Sequence, residues 1–317
     1  MSKQPVIRTC LIGFGNVGQG LYLRAENKNS HLRAIKFNRN FELVAIVDPA
    51  INEQLPGLPK VRCSKSIEEI QDVNADLVII AAPTNTHLDI CRESVIFLNP
   101  KAMLIEKPVG LILEECNAIK KCLQHIPTIL VNYQRNYDRI ILQQLTDVIG
   151  SGYSKGVVYY SNGAINNASH GLALLISVFG RPINVFNLSS SKKERPSGID
   201  VDFVVEFKET KITFIATEEK HYSIFRIELF GPKGAWLYDA GLERSETRTR
   251  VDDPIYVGRF SLKKNSTITS IPDTESFNHV YDYLEKRIRG DSNLESHLGA
   301  SLELAYEVHE VIEKAQK

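Results

Sequence analysis

Short, continuously apolar runs alternate with helical stretches through the first 135 residues, and this alternation constrains the fold more than any other feature. Val6–Ile12, Phe41–Val47 (FELVAIV), Asp76–Ala82 (DLVIIAA), Ala102–Ile105 and Thr128–Val131 read as strands. Asn16–Glu26, a stretch near His87–Val95 and Leu113–Cys122 read as helices. Ser66 with Glu69 forms a capping-box pattern ahead of a further short helix. Strands that stay apolar without alternating are buried on both faces, as in parallel sheets covered on each side by crossover helices. The expected fold class is α/β, beginning with a doubly wound parallel sheet. A helix over Tyr137–Val148 then runs to a break at Gly150-Ser151-Gly152.

From Tyr153 onward the pattern changes. After one helix, Gly171–Phe179, strand-like stretches dominate: Val185–Leu188, Phe203–Phe207, Ile212–Ala216, Ile224–Phe230 and Ala235–Tyr238. Gly231-Pro232-Lys233-Gly234 reads as the turn of an antiparallel hairpin. The polar, proline-bearing segment Ser189–Gly198 reads as an exposed loop, and helices at His279–Arg289 and Ala300–Ala315 close the chain. A length of 317 residues suits two domains at roughly 150 residues each. The boundary is expected after residue 135, giving domains 1–135 and 136–317.

Composition excludes several classes. Lys+Arg and Asp+Glu balance at 38 each, so no net field draws the chain to nucleic acid or to a membrane surface. The opening MSKQPVIRTC lacks a signal-peptide core, and the apolar runs fall short of the roughly 20 residues a membrane span needs. Five cysteines, odd in number and without a CxxC pair, read as free thiols of a reducing compartment. A cytoplasmic location is expected. No His or Cys cluster has metal-ligand spacing, so no metal is assigned.

Gly13-Phe14-Gly15-Asn16-Val17-Gly18 follows one strand and opens a helix, the context in which GxGxxG carries weight. The first glycine permits a tight turn, the second lets the backbone approach a pyrophosphate, and the third lets helix and strand pack closely. The pyrophosphate then meets the positive helix N-terminus. Asp48 ends the second strand, where an acid binds the adenosine ribose hydroxyls and repels a 2′-phosphate. NAD(H) is therefore expected over NADP(H). Gly18 and Asp48 lie 30 positions apart against roughly 20 in the usual fingerprint, which points to an inserted exposed loop within Asn27–Asn40. The bland alternative for Asp48 is a turn residue before Pro49.

Further along come Pro83-Thr84-Asn85-Thr86-His87 after DLVIIAA, Glu106-Lys107-Pro108 inside AMLIEKPVG, VNYQRNYD at Val131–Asp138, INNASHGLALLISVFG at Ile165–Gly180 and LFGPKGAWL at Leu229–Leu237. In this order the landmarks resemble the glucose–fructose oxidoreductase/inositol dehydrogenase (Gfo/Idh/MocA) family over nearly the whole chain. The resemblance implies a Rossmann domain that binds NAD(P). A second α/β domain would follow, binding substrate and offering an open, largely antiparallel sheet to a homodimer or homotetramer. It also implies hydride transfer at a hydroxyl or keto carbon of a sugar, nucleotide sugar or polyol. Pro83, Thr84, Asn85, His87, Glu106 and Lys107 would then join the glycine turn and Asp48 around the cofactor.

By the same resemblance Lys107 is the active-site lysine, able to stabilise charge on the reacting oxygen. His170 matches the family histidine that opens the first helix of the second domain and would exchange the proton. Many members carry an aspartate four residues earlier, on the same helix face. Here that position is Asn166, which can hydrogen-bond a substrate but cannot take a proton. Asn167 is a second substrate contact or the helix N-cap. Arg135 would orient neighbouring groups, or else make an ion pair. Two other readings stay open: a non-catalytic cofactor-binding regulator on the same fold, and a homoserine dehydrogenase-like enzyme, suggested by GFGNVGQGL.

Overall fold

The computed structural model of the chain describes residues 4–19, 30–51, 55, 57–149, 154–189, 193–195, 198–294 and 298–317. In chain order the elements of the first part are β1 Ile7–Ile12, α1 Asn16–Gln19, α2 His31–Phe37, β2 Phe41–Val47, β3 Arg62–Ser64, β4 Leu77–Ile80, α3 His87–Glu93, β5 Ala102–Ile105, α4 Leu113–Cys122 and β6 Thr128–Val131. They are followed by α5 Arg139–Ile149, β7 Ser154–Tyr160, α6 Ser169–Phe179, β8 Asn184–Asn187, β9 Lys193–Arg195, β10 Gly198–Asp200, β11 Phe203–Phe207 and β12 Thr210–Ala216. The last are β13 Phe225–Gly231, β14 Gly234–Asp239, β15 Arg244–Asp252, β16 Phe260–Leu262, β17 Thr267–Ser270, α7 Ser276–Ile288 and α8 Leu302–Ala315. Two compact units result: Met1–Tyr137 with Thr274–Tyr306, and Asp138–Asp273 with Glu307–Lys317. Residues 274–306, read from sequence with the second domain, thus cluster with the first.

The first unit is a six-stranded sheet in the order β3-β2-β1-β4-β5-β6, every pairing parallel. This is the doubly wound Rossmann order, whose ligand crevice lies outside the carboxyl ends of the strands where the order reverses, between β1 and β4. β4 and β5 are buried at every position, which explains why their sequences carry no alternation. The expected loop within Asn27–Asn40 is corrected in part: residues 30–37 form a capped helix, while 27–29 lie outside the described residues. The Ser30 side chain accepts the Arg33 N–H at 3.2 Å, and His31, Leu32, Ala34 and Ile35 are buried. The capping box is also revised. Glu69 accepts the Ser64 hydroxyl, and the element is a single 3₁₀ turn, Glu68–Ile70. α7 packs its Tyr281 edge-on against Phe41, with ring centroids 5.2 Å apart.

The second unit is built on a sheet in the order β16-β15-β14-β13-β7-β12-β11-β8, with β17 on β15. Only β7 and β12 pair in parallel on this path, so the sheet is largely antiparallel. The expected turn is confirmed, since Gly231 pairs with Gly234 across Pro232-Lys233. One face carries the core. α6 lies on it, with a Cβ placed at Gly171 falling 3.3 Å from Val158, and α5 reaches it through Gln144, which accepts Trp236 Nε1–H at 3.1 Å and Ser245 Oγ–H at 2.6 Å. The other face carries the pairs Arg226–Glu228 (2.6 Å) and Arg244–Glu246 (2.7 Å). The expected loop Ser189–Gly198 contains β9, which pairs with β10; the Gly150–Gly152 break and helix positions 20–26 lie outside the described residues. Among the described residues no helix is long and apolar enough to cross a membrane.

Candidate active site

The first unit gathers its candidate residues at one sheet edge, because each follows the carboxyl end of a strand. After β1, Gly13 adopts φ 91° and donates its N–H to Val47 O at 2.8 Å. A Cβ there would sit 2.5 Å from Ala81 backbone, and one at Gly18 would sit 2.2 Å from Gly13 O. Both glycines are therefore required by the fold itself. Gly15 differs: a Cβ there meets nothing within 4 Å. Gly15, Asn16 and Val17 are exposed, and this is the opening through which a pyrophosphate could approach the backbone. The residues present thus fit a dinucleotide, since the fold leaves free the one glycine that the cofactor needs bare.

Asp48 follows β2, and its carboxylate is tied to the glycine turn. Oδ2 accepts the Phe14 N–H at 2.7 Å, and Oδ1 accepts the Ala50 N–H at 2.8 Å. Both readings of Asp48 meet here, because these bonds make a turn and still leave each oxygen a lone pair for a ribose hydroxyl. After β4, Pro83 and Asn85 are exposed and Thr84 is half-buried on a 3₁₀ turn, which Thr86 closes by donating to Pro83 O at 2.7 Å. His87 is buried, its Nδ1 lying 3.1 Å from Val109 O and its Nε2 3.0 Å from Ala82 O. These contacts tie the turn after β4 to the turn after β5.

After β5 come Glu106 and Lys107, both half-buried, with a cis peptide bond to Pro108. Burial pushes the Lys107 ammonium down to about 8; the Glu106 charge opposes that and the Arg135 charge adds to it. Arg135 lies on the turn Gln134–Tyr137 after β6, within electrostatic reach of Lys107. Burial also works against ionisation of Glu106, but hydrogen bonding and charge from His31, with Asn132 and Lys107, hold its carboxyl below the ordinary range. His31 Nε2 lies 3.0 Å from Glu106 Oε1, and Asn132 Nδ2 donates to the same oxygen at 2.6 Å. Sequence reasoning missed His31, Asn132 and Tyr281. No spacing marks them; the only signal was a histidine beside leucine in a stretch read as loop.

The second unit holds Asn166, Asn167 and His170. Ala164–Ala168 winds as a π turn that runs into α6. Asn166 and Asn167 therefore lie within the π turn, and His170 lies in the first turn of α6. Asn166 is exposed while His170 is buried, edge-on to Phe225 at 6.4 Å. Asn167 is not the N-cap of α6; that position is Ala168, and Asn167 Nδ2 donates to Ile224 O at 3.4 Å.

Residues 7–133 match the model of an oxidoreductase family, Gfo/Idh/MocA, described as having an NAD-binding Rossmann fold. No curated protein sequence matches the chain significantly. Among solved structures, the chain is similar to a dehydrogenase from Chromobacterium violaceum, with TM-score 0.75 and 14% identity, covering 99% of this chain and 95% of that one. It is similar to an oxidoreductase from Bacillus cereus (TM-score 0.71, 14% identity, 98% and 97% covered). It is likewise similar to the dehydrogenase MviM from Clostridium difficile (TM-score 0.71, 13% identity, 97% and 98% covered). At these identities the likeness establishes the fold of the whole chain, and the family match rests on the segment bearing the glycine turn and Lys107. Over residues 7–133, then, the chain matches the NAD-binding Rossmann segment of the Gfo/Idh/MocA oxidoreductase family.

Proposed function

We propose that the protein transfers hydride between NAD(H) and a hydroxyl or keto carbon of a sugar, nucleotide sugar or polyol. The observation that carries this reading is the half-buried Lys107, its proton affinity lowered to about 8, at the same sheet edge as the open Gly15 turn. When bound, the nicotinamide supplies the hydride acceptor or donor. Lys107, as an ammonium, hydrogen-bonds the reacting oxygen and stabilises charge as it develops. His170 takes the hydroxyl proton in oxidation and returns it in reduction. Asn166, Asn167 and Arg135 are assigned to substrate hydroxyls.

A pH profile tests the assignment of Lys107. The cation is present below its midpoint and lost above it, so turnover should fall as pH rises through about 8. A rate that stays flat across that region would detach Lys107 from the chemistry. The regulator reading is favoured by one observation, the exposed Asn166 where many relatives hold an acid. It predicts cofactor binding with no turnover on any sugar, polyol or nucleotide sugar.

Asp48 should make NAD(H) bind more tightly than NADP(H), because a 2′-phosphate would meet a carboxylate already fixed by two backbone N–H groups. Calorimetric titration with both cofactors checks this, and Asp48→Ser should narrow the gap. Equal affinities in the parent would remove the assignment. The face of the second unit's sheet that carries the exposed Phe230 and Ile268 is proposed as the seat of a second copy in a homodimer or homotetramer. A monomer by light scattering at micromolar concentration would contradict that.

A further inference from the structure

Glu106 is gripped from behind by groups that the proposed reaction does not use. His31 is fully buried at the start of α2. Its Nε2 lies 3.0 Å from Glu106 Oε1, its Nδ1 lies 2.9 Å from the Tyr281 hydroxyl on α7, and its ring stands edge-on to Phe277 at 5.0 Å. A carboxylate only accepts, so Nε2 carries a proton toward Glu106, while Nδ1 shares a hydrogen bond with the Tyr281 hydroxyl. The chain of contacts runs from α7 through α2 to the end of β5, where Lys107 is the next residue.

We propose that His31, backed by Tyr281, is a positioning residue for Lys107, acting through the Glu106 carboxylate whose charge and orientation it fixes. The inference rests on the reading of Lys107 as the group that meets the reacting oxygen. A buried histidine joined to two side chains from distant parts of the sequence makes a directional contact that an apolar residue would not, and nothing in the packing of α2 alone requires one. The other charged and titratable groups within electrostatic reach of the pair are Arg135 for Lys107, and Tyr137 and Tyr281 for Glu106. Burial holds both phenols well above their ordinary range, so they stay protonated while Lys107 titrates. With the carboxylate held, its charge supports the ammonium against burial. With His31 lost, Glu106 loses a hydrogen bond to its charged form, and the ammonium should lose part of that support.

The test is an NMR titration of the full chain with carbon-labelled lysine, the Lys107 signal being identified by its disappearance in Lys107→Arg. The parent midpoint should lie at about 8. His31→Leu should move it lower by roughly half a pH unit or more, the scale of losing one neighbour's hydrogen bond. Tyr281→Phe should move it the same way by less. His31→Gln, whose amide can still donate to Glu106, should restore most of the parent value. A parental midpoint in folded His31→Leu overturns the proposal; if that variant does not fold, a parental midpoint in Tyr281→Phe overturns it. Full turnover in Lys107→Ala would instead overturn the functional reading, leaving the coupling seen by NMR intact, so the two failures are distinguishable.

Discussion

Lys107→Ala should lower turnover by roughly 100-fold or more while leaving NAD(H) binding nearly intact, the usual scale for losing a donor at a developing oxyanion. Stability should move the other way. The folded chain holds the Lys107 proton at about 8 against an ordinary 10.5, so between those values the unfolded chain binds more protons. Stability therefore rises with pH across that window, and below it the buried ammonium is a standing cost. Lys107→Met keeps the bulk and removes the charge, so it should melt no lower than the parent at pH 7 while losing turnover. A group kept for structure would do the reverse, with destabilisation accompanying any loss of rate. Paired melting curves and rates for the two variants decide between them. Normal turnover in either variant would make Lys107 a bystander.

The glycines of the turn should separate folding from binding. Gly13→Ala places a side chain at φ 91° and 2.5 Å from Ala81 backbone. The left-handed backbone costs about 1–2 kcal/mol and the forced contact about 1–3 more, so a clear drop in melting temperature is expected. Gly15→Ala meets no atom within 4 Å, so its stability should stay within about 0.5 kcal/mol of the parent, as at an ordinary surface site. Its affinity for NAD should nonetheless fall by roughly 10–100-fold, since the added methyl stands where the pyrophosphate must approach the backbone. Melting scans and calorimetric titrations of both variants provide the check. Parental NAD affinity in Gly15→Ala would remove the turn from the cofactor site.

Much of the first unit could be read from sequence because its strands are buried on both faces, which leaves uninterrupted apolar runs. β2, β5, β6 and α4 fall on the residues expected from pattern alone. The second unit was harder. β15 (RSETRTRVD) carries polar residues because one face of its sheet is lined by ion pairs such as Arg244–Glu246, and β7 (SKGVVYY), central in that sheet, comes just after a Gly-Ser-Gly stretch. α2 was read as loop because HLRAIKF is only two turns long and its buried side includes a histidine. The candidate site divides in the same way. The glycine turn could be read from its spacing between strand and helix, Asp48 from its place at the end of the second strand despite a long gap, and Lys107 through the family resemblance. The grip of His31 and Tyr281 on Glu106 could not, since it joins residues 75 and 250 positions apart. The π turn that carries Asn166 and Asn167 was equally hidden, because π winding leaves no mark in a helical pattern.

The central claim is that the glycine turn, Asp48 and Lys107 form one NAD(H) site with Lys107 at the reacting end. Its most direct measurement is a crystal structure of the full chain grown with saturating NAD. The predicted result is density for the pyrophosphate over the Gly15 backbone, the adenosine ribose hydroxyls on Asp48 and the nicotinamide beside Lys107. Density that bypasses Gly15 and Asp48, or a nicotinamide ring turned away from Lys107, would contradict it.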